Sequence, residues 1–245
     1  MFPFLASAVF LLGYLLITLE AKVKVSKSAF ALAIGGILWV ILALYDKALA
    51  HEEIVHVSYE IFSIVAFLLA AMSLVEILVH YRLFDVIRAK LLAYRLSNKA
   101  QFVVISALAF VLSALIDNLT TTIIMVQIAR KFFKDENLLT AVVAIVIAAN
   151  AGGAFSPIGD VTTIMLWLAN KFSAGAVIVQ GILPALTLLG VALLMLLPRV
   201  KPAEDDTIDD PNVEPLSPGE MVIIGCVAVS FVLPIAVKAI GLPPV

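Results

Sequence analysis

The chain has 245 residues, of which 63% are hydrophobic and only 14% are charged, and its formal net charge is −2. Soluble domains carry about a quarter charged residues, so this composition excludes an ordinary soluble domain. A single cysteine, Cys226, excludes a disulfide within the chain. Long uncharged blocks supply the hydrophobicity, and they predict an all-α polytopic membrane protein whose helices of about 20 apolar residues cross the bilayer core.

Residues 1–80 contain three apolar blocks, at residues 2–19, 29–45 and 61–78. The segment after the first block contains Lys22, Lys24 and Lys27, whereas residues 46–60 carry four acidic residues against one lysine. Because cytoplasmic loops carry an excess of lysine and arginine, this pattern predicts three transmembrane helices, an outside N-terminus and an external loop at residues 46–60. No basic residue precedes the first block, which argues against a signal peptide.

Residues 81–100 form a basic segment, with five lysines and arginines against one aspartate. Leu83, Ile87 and Leu91 fall on one helical face, and the basic residues fall on the opposite face. This pattern predicts a cytoplasmic amphipathic helix that lies along the inner membrane surface. A solvated basic loop is the alternative interpretation.

Residues 101–137 are apolar except for a polar centre, SALIDNLTTT, and a second basic cluster at Arg130, Lys131 and Lys134. The apolar part is too short for two spans of about 20 residues each. One span would place the second basic cluster outside, against the positive-inside rule. We therefore predict a re-entrant helical hairpin that enters from the cytoplasm, turns at residues 117–122 and returns. Irregular backbone at that depth must be packed in protein or line a wet cavity.

Residues 138–198 predict a discontinuous helix followed by a transmembrane helix. The first half-helix is expected at residues 138–149, and at about 18 Å it is too short to cross the bilayer core. The break is NAGGAFSPIGDVTT, and the second half-helix is expected at residues 162–169. An acidic, proline-rich cytoplasmic loop follows at residues 199–218. Residues 219–245 then predict a transmembrane helix that opens a second half.

The predicted hairpin tip and helix break both concentrate polar side chains within apolar sequence. Secondary transporters build ion sites where discontinuous helices expose backbone groups near the midplane, and a small hard cation prefers oxygen ligands. The candidate ion- and proton-binding residues are Asp117, Asn118, Thr120, Thr121, Asn150, Ser156, Asp160, Thr162 and Thr163.

The two carboxylates in this set are the most informative residues, because a charge in the membrane interior marks an ion or proton pathway by default. A low dielectric favours a protonated carboxyl, whereas a bound cation favours the carboxylate. One aspartate can thus hold a proton or a metal ion, which is the physical basis of cation/proton exchange. The alternative is that Asp117 and Asp160 only cap half-helices. Capping is expected to explain one aspartate better than two, and it leaves the hydroxyls unexplained.

The segments SALIDNLTTTIIM and NAGGAFSPIGDVTTIMLW resemble two signatures in the first half of NhaD-type sodium/proton antiporters, which belong to the ion transporter superfamily. The resemblance implies that Asn150 and Asp160 share the cation and proton site with the hairpin residues Asp117 and Asn118. It further implies Na⁺ binding at Asp117, Asn118 and Asp160, with supporting hydroxyls at Ser113, Thr120 and Thr162. Na⁺ or Li⁺ would be exchanged for H⁺ across a bacterial inner membrane, as transported ions and without a cofactor.

The superfamily has two inverted repeats, and this chain contains one hairpin and one broken helix. It is expected to be the N-terminal repeat portion, with a C-terminal repeat, a second copy or a homodimer as partner and no nucleic acid. Two alternatives stay open: a sodium-coupled dicarboxylate- or arsenite-type anion carrier, and a truncated or split half that does not transport alone. No Ser/His/Asp or CxxC arrangement occurs in the sequence, so an enzyme is not predicted.

Overall fold

The computed structural model describes residues 2–94, 96–202 and 216–240, and within these ranges every regular element is a helix. The all-α prediction is therefore confirmed. The helices are α1 Phe2–Thr18, α2 Glu20–Val23, α3 Lys27–Tyr45, α4 Lys47–His80, α5 Leu83–Ala93, α6 Asn98–Ser113, α7 Asn118–Ala129, α8 Asp135–Ala154, α9 Val161–Leu168, α10 Ala174–Leu196 and α11 Pro218–Ala239, with a 3₁₀ turn at Leu197–Arg199. In the described residues, α3, α4, α8, α10 and α11 are long and apolar enough to cross a membrane.

The first of two compact units, Met1–Ser63, contains α1 to α3 and the start of α4. Helices α1 and α3 pack closely because Gly13 faces Ile34, whose Cδ1 would lie 2.4 Å from a Cβ at that position. The rings of Phe2 and Tyr45 stack at 4.4 Å, so the start of α1 lies beside the end of α3.

The external loop predicted at residues 46–60 is helical in the structure, which corrects that part of the prediction. Helix α4 runs without interruption for 34 residues from Lys47, about 51 Å at 1.5 Å per residue. Asp46 starts it, because its Oδ1 accepts hydrogen bonds from the N–H groups of Ala48 and Leu49 at 3.0 Å. The glutamates of this segment are good helix formers; their charge bears on the side of the membrane and not on the backbone conformation.

The second unit, Ile64–Val245, is organised around α6, α7 and α8. Its core contains Ile105 and Ala109 of α6, Met125 of α7, and Ile145 and Ala148 of α8, all 1% exposed or less. Small residues along α8 allow the neighbouring helices to approach closely, as in other membrane helix packings. Helix α5 is also present, with Phe84 and Leu91 buried.

At one end of this unit, hydrogen bonds to the backbone of Lys201 hold the starts of α6 and α8 together. Its carbonyl oxygen accepts hydrogen bonds from Asn98 Nδ2 at the start of α6 and from Asn137 Nδ2 near the start of α8, each at 3.2 Å. The Lys201 ammonium pairs with Glu136, which raises the pKa of Lys201 through a hydrogen bond and charge attraction. Because α6 and α8 start at the same end, α7 must return the chain to that end. This geometry supports the re-entrant hairpin, whose position in a membrane stays a prediction.

The broken helix is present, but its break begins later than expected. Helix α8 continues through Asn150 to Ala154 and has 20 residues, enough to span by length, so the predicted short first half at 138–149 was wrong. Gly152 and Gly153 are part of the helix, and α8 packs against Phe110 of α6 at Gly152. Between α8 and α9 the backbone is irregular from Phe155 to Asp160, around Pro157. Of the predicted acidic loop, residues 203–215 lie outside the described residues, as do residues 241–245 of the last predicted helix.

Candidate functional site

The first part of the site is the start of α7. Asp117 is its N-cap, and the Oδ1 atom of Asp117 accepts a hydrogen bond from the Thr120 N–H at 2.8 Å. Behind it, the Thr122 hydroxyl donates to the Asn118 carbonyl at 2.7 Å. The side chain of Asn118 points away from its own helix, towards Asn150 and Asp160.

The second part is the start of α9, where Asp160 is the N-cap. Its Oδ1 accepts two hydrogen bonds from Thr162, one from the N–H at 2.8 Å and one from the hydroxyl at 2.5 Å. The Thr163 hydroxyl donates to the Asp160 carbonyl at 2.8 Å. Both aspartates therefore cap helices, although capping was expected to explain one aspartate better than two.

Asn118 joins the two parts. Its Nδ2 donates to Asp160 Oδ2 at 2.5 Å and to Asn150 Oδ1 at 3.2 Å. The Asn150 amide is oriented in turn, because its Nδ2 donates to the Val146 carbonyl one turn earlier in α8 at 2.8 Å. Three side chains from separate elements thus meet at one place, where the Asn150 amide oxygen and the Asp160 carboxylate both face the Asn118 amide nitrogen. Asn150 and Thr162 are exposed, and Asn118 and Asp160 are half-buried, so the cluster opens to the protein surface.

Three further predicted residues, Ser113, Ser156 and Thr121, are buried. Ser113 is fully buried, and its hydroxyl donates to the Ala149 carbonyl at 2.6 Å, tying the end of α6 to α8. Ser156 is buried within the break, where its Oγ accepts from the Ile158 N–H at 3.3 Å. Thr121 is 1% exposed, and no hydrogen-bond partner for its hydroxyl is found in the described part of the chain.

The glycines of the break have a packing role that the sequence did not reveal. A Cβ at Gly152 would lie 2.0 Å from the Phe110 carbonyl oxygen, and one at Gly159 would lie 2.3 Å from the Ser113 carbonyl oxygen. These close approaches bring the end of α6 against both sides of the break. Two adjacent glycines beside a proline were the available signal, but that signal indicates an interrupted helix as readily as a close approach.

The electrostatics of the site follow from its helix ends. The starts of α7 and α9 carry partial positive charge that stabilises the two aspartates, and the ends of α6 and α8 present partly negative carbonyls. Within the described residues no group of three or more histidine, cysteine or acidic side chains is arranged so that it could hold a metal ion. The donor set is instead carboxylate, amide and hydroxyl oxygen, which suits a hard cation.

Comparison with known proteins agrees with this description. A family described as citrate transporter (CitMHS) matches residues 4–243. Sodium/proton antiporter 1 of Arabidopsis thaliana is 36% identical over 242 residues, which cover 95% of this chain and 41% of the relative. The Na⁺/H⁺ antiporter NhaD of Vibrio cholerae is 34% identical over 175 residues, covering 69% of this chain and 37% of the relative. No solved structure matches.

The chain spans less than half the length of these relatives. Their names confirm the resemblance to NhaD-type sodium/proton antiporters that the two polar motifs indicated, and with the apolar helices they show a multi-pass membrane protein. The relatives are transporters. Because the family match covers nearly all of its residues, the chain belongs to the citrate transporter (CitMHS) family.

Proposed function

We propose that this chain supplies one wall of the ion site in a secondary transporter that exchanges Na⁺ or Li⁺ for H⁺. The observation that carries the proposal is the cluster of Asn118, Asn150 and Asp160, in which one amide nitrogen contacts both a carboxylate and a second amide. Relatives named as sodium/proton antiporters support it. Na⁺ and H⁺ are the transported ions, no cofactor is needed, and the protein is a transporter and not an enzyme.

The geometry of the cluster suggests how the exchange proceeds. A hard cation prefers oxygen ligands, and Asp160 Oδ2 and Asn150 Oδ1 both lie within hydrogen-bond distance of one nitrogen atom. A cation entering between them replaces the Asn118 N–H as partner of the carboxylate, and the Asn118 amide turns its oxygen to the ion. A proton on Asp160 removes the negative charge that holds the cation. Binding of one ion therefore opposes binding of the other.

The site is open on the side of Asn150 and Thr162, and we propose that a second repeat or a second copy covers it. Two inverted repeats facing one another are a common transporter plan. The proposed location is the bacterial inner membrane with the N-terminus outside, because the loop with Lys22, Lys24 and Lys27 is basic.

A second candidate is a sodium-coupled anion carrier, which the family's description as citrate transporter favours. The starts of α7 and α9 would attract an anion. However, both starts are occupied by aspartates, Asp117 and Asp160, and these carboxylates would repel citrate. A transport assay separates the candidates, because exchange needs Na⁺ alone and an anion carrier needs Na⁺ with a carboxylate substrate.

The test uses everted membrane vesicles containing the natural protein, expressed from its complete coding sequence, with a pH-sensitive dye. Na⁺ should release protons from wild-type vesicles without any added anion, and Asp160→Asn should abolish this release. Asp135→Asn is the matched control, since Asp135 is exposed with φ 46°, a backbone conformation that asparagine tolerates well. Citrate-dependent Na⁺ uptake without proton release would instead establish the anion carrier.

A further inference from the structure

Lys238, the last residue but one of α11, is bound to the end of another helix. Its ammonium donates a hydrogen bond to the Trp167 carbonyl oxygen of α9 and lies 4.6 Å from the centroid of the Trp167 ring. A lysine at the end of a transmembrane helix ordinarily extends into the membrane interface. Here the charge is instead directed at a tryptophan that is only 1% exposed.

Helix α9 needs such external support because it has only eight residues, and an isolated helix of that length is unstable. Its C-terminal end is closed by a Schellman motif: Asn170 has φ 55°, its N–H bonds the Trp167 carbonyl at 3.1 Å, and the Lys171 N–H bonds the Leu166 carbonyl at 2.9 Å. Lys238 adds a positive charge at this negative helix end and a cation–π contact with the indole.

The opposite end of α9 carries the ion site. Asp160 caps the helix there and contacts Asn118 through Oδ2. The two ends of α9 are about 12 Å apart, and between them Ile164 is 1% exposed. A helix of eight residues, anchored by the buried side chains of Ile164 and Trp167, moves as one body, so the support at Trp167 also fixes the direction in which Asp160 points.

We propose that Lys238 is a positioning residue that holds α9 so that the Asp160 carboxylate faces Asn118 and Asn150. This inference rests on the proposed cation exchange for its effect on transport. The contact between Lys238 and Trp167 itself is independent of what the site binds. Removal of the ammonium should weaken cation binding more than it slows the transport cycle, because Asp160 keeps its charge and its cap.

The transport test compares three variants of the natural protein in everted vesicles. Lys238→Met should raise the Na⁺ concentration for half-maximal proton release about fivefold, the equivalent of one cation–π contact of about 1 kcal/mol, with the maximal rate retained. Lys238→Arg, which keeps the charge, should stay within about twofold. Lys171→Met removes an exposed charge near the same helix end and should behave as wild type. An unchanged half-maximal concentration in Lys238→Met would overturn the proposal.

A second measurement keeps the inference separate from the proposed function. The purified protein is labelled with 5-fluorotryptophan, and the fluorine resonance of Trp167 is assigned as the one lost in Trp167→Phe. That resonance should shift and broaden in Lys238→Met and remain in place in Lys171→Met. If wild-type vesicles showed no Na⁺-dependent proton release, the proposed exchange would be refuted. The fluorine spectrum would still decide whether Lys238 holds α9. Identical spectra for Lys238→Met and wild type would refute the inference in either case.

Discussion

Gly152 allows α8 to touch the backbone of α6 just before the ion site, and Gly152→Ala tests that contact. The added Cβ would lie 2.0 Å from the Phe110 carbonyl oxygen, 2.8 Å from its carbon and 3.0 Å from its Cα. Contacts below 3.0 Å are not adopted by real Cβ atoms, so the two helices must separate by about 1 Å. The clash is with backbone, which cannot rotate out of the way as a side chain can.

The expected change in the free energy of unfolding follows from two opposing effects. Alanine favours a helix over glycine by about 1 kcal/mol. Overpacking costs about 1–3 kcal/mol, and a collision with backbone belongs at the upper end. We therefore expect Gly152→Ala to lower the free energy of unfolding by about 1–2 kcal/mol, and to displace the end of α6 that carries Ser113.

The matched control is Gly190→Ala in α10, where a Cβ would meet nothing within 4 Å. That substitution should be neutral or stabilising by up to about 1 kcal/mol, from helix propensity alone. Thermal unfolding of both variants in detergent, followed by circular dichroism, measures the difference. If Gly152→Ala unfolds at the same temperature as Gly190→Ala or higher, the close approach of α6 and α8 is not the reason for the glycine.

Two further predictions concern the end of the unit opposite the ion site. In a Cys226→Ala background, Lys99→Cys and Lys134→Cys should both react with an impermeant thiol reagent from the cytoplasmic side only, because Lys201 holds the starts of α6 and α8 together. Labelling of the two cysteines from opposite sides would exclude the re-entrant hairpin. Asn137→Ala removes two hydrogen bonds to the Lys201 backbone and should cost about 1–2 kcal/mol of stability, measured by thermal unfolding; an unchanged unfolding temperature would show that water replaces both bonds.

The sequence allowed prediction of the helical elements and of the residues that meet at the site. Polar residues and helix breakers within apolar sequence are costly in a membrane, so their positions carried information. For this reason Asn118, Asn150 and Asp160 were identified without a structure, and the three side chains do lie together.

The parts that were not predictable depend on contacts between helices. Helix α8 continues through Gly152 and Gly153, and α6 approaches it closely at Gly152; no local sequence pattern indicates that neighbour. The start of α4 at Lys47 depends on helix formation by an acidic segment, and the charge of that segment indicates only a side of the membrane. Lys238 carried no signal because a lysine at a helix end is ordinary, and only the fold brings it to Trp167.

The two roles considered for Asp160, helix cap and ion ligand, belong to different oxygen atoms of one carboxylate. Oδ1 accepts both hydrogen bonds from Thr162 and so caps α9, whereas Oδ2 faces Asn118. Serine is as good an N-cap as aspartate but offers no second oxygen and no charge. Asp160→Ser should therefore leave the unfolding temperature nearly unchanged and abolish Na⁺-dependent proton release in everted vesicles. Release at the wild-type rate would mean that the cap is the whole role of Asp160, and that the cation is held elsewhere.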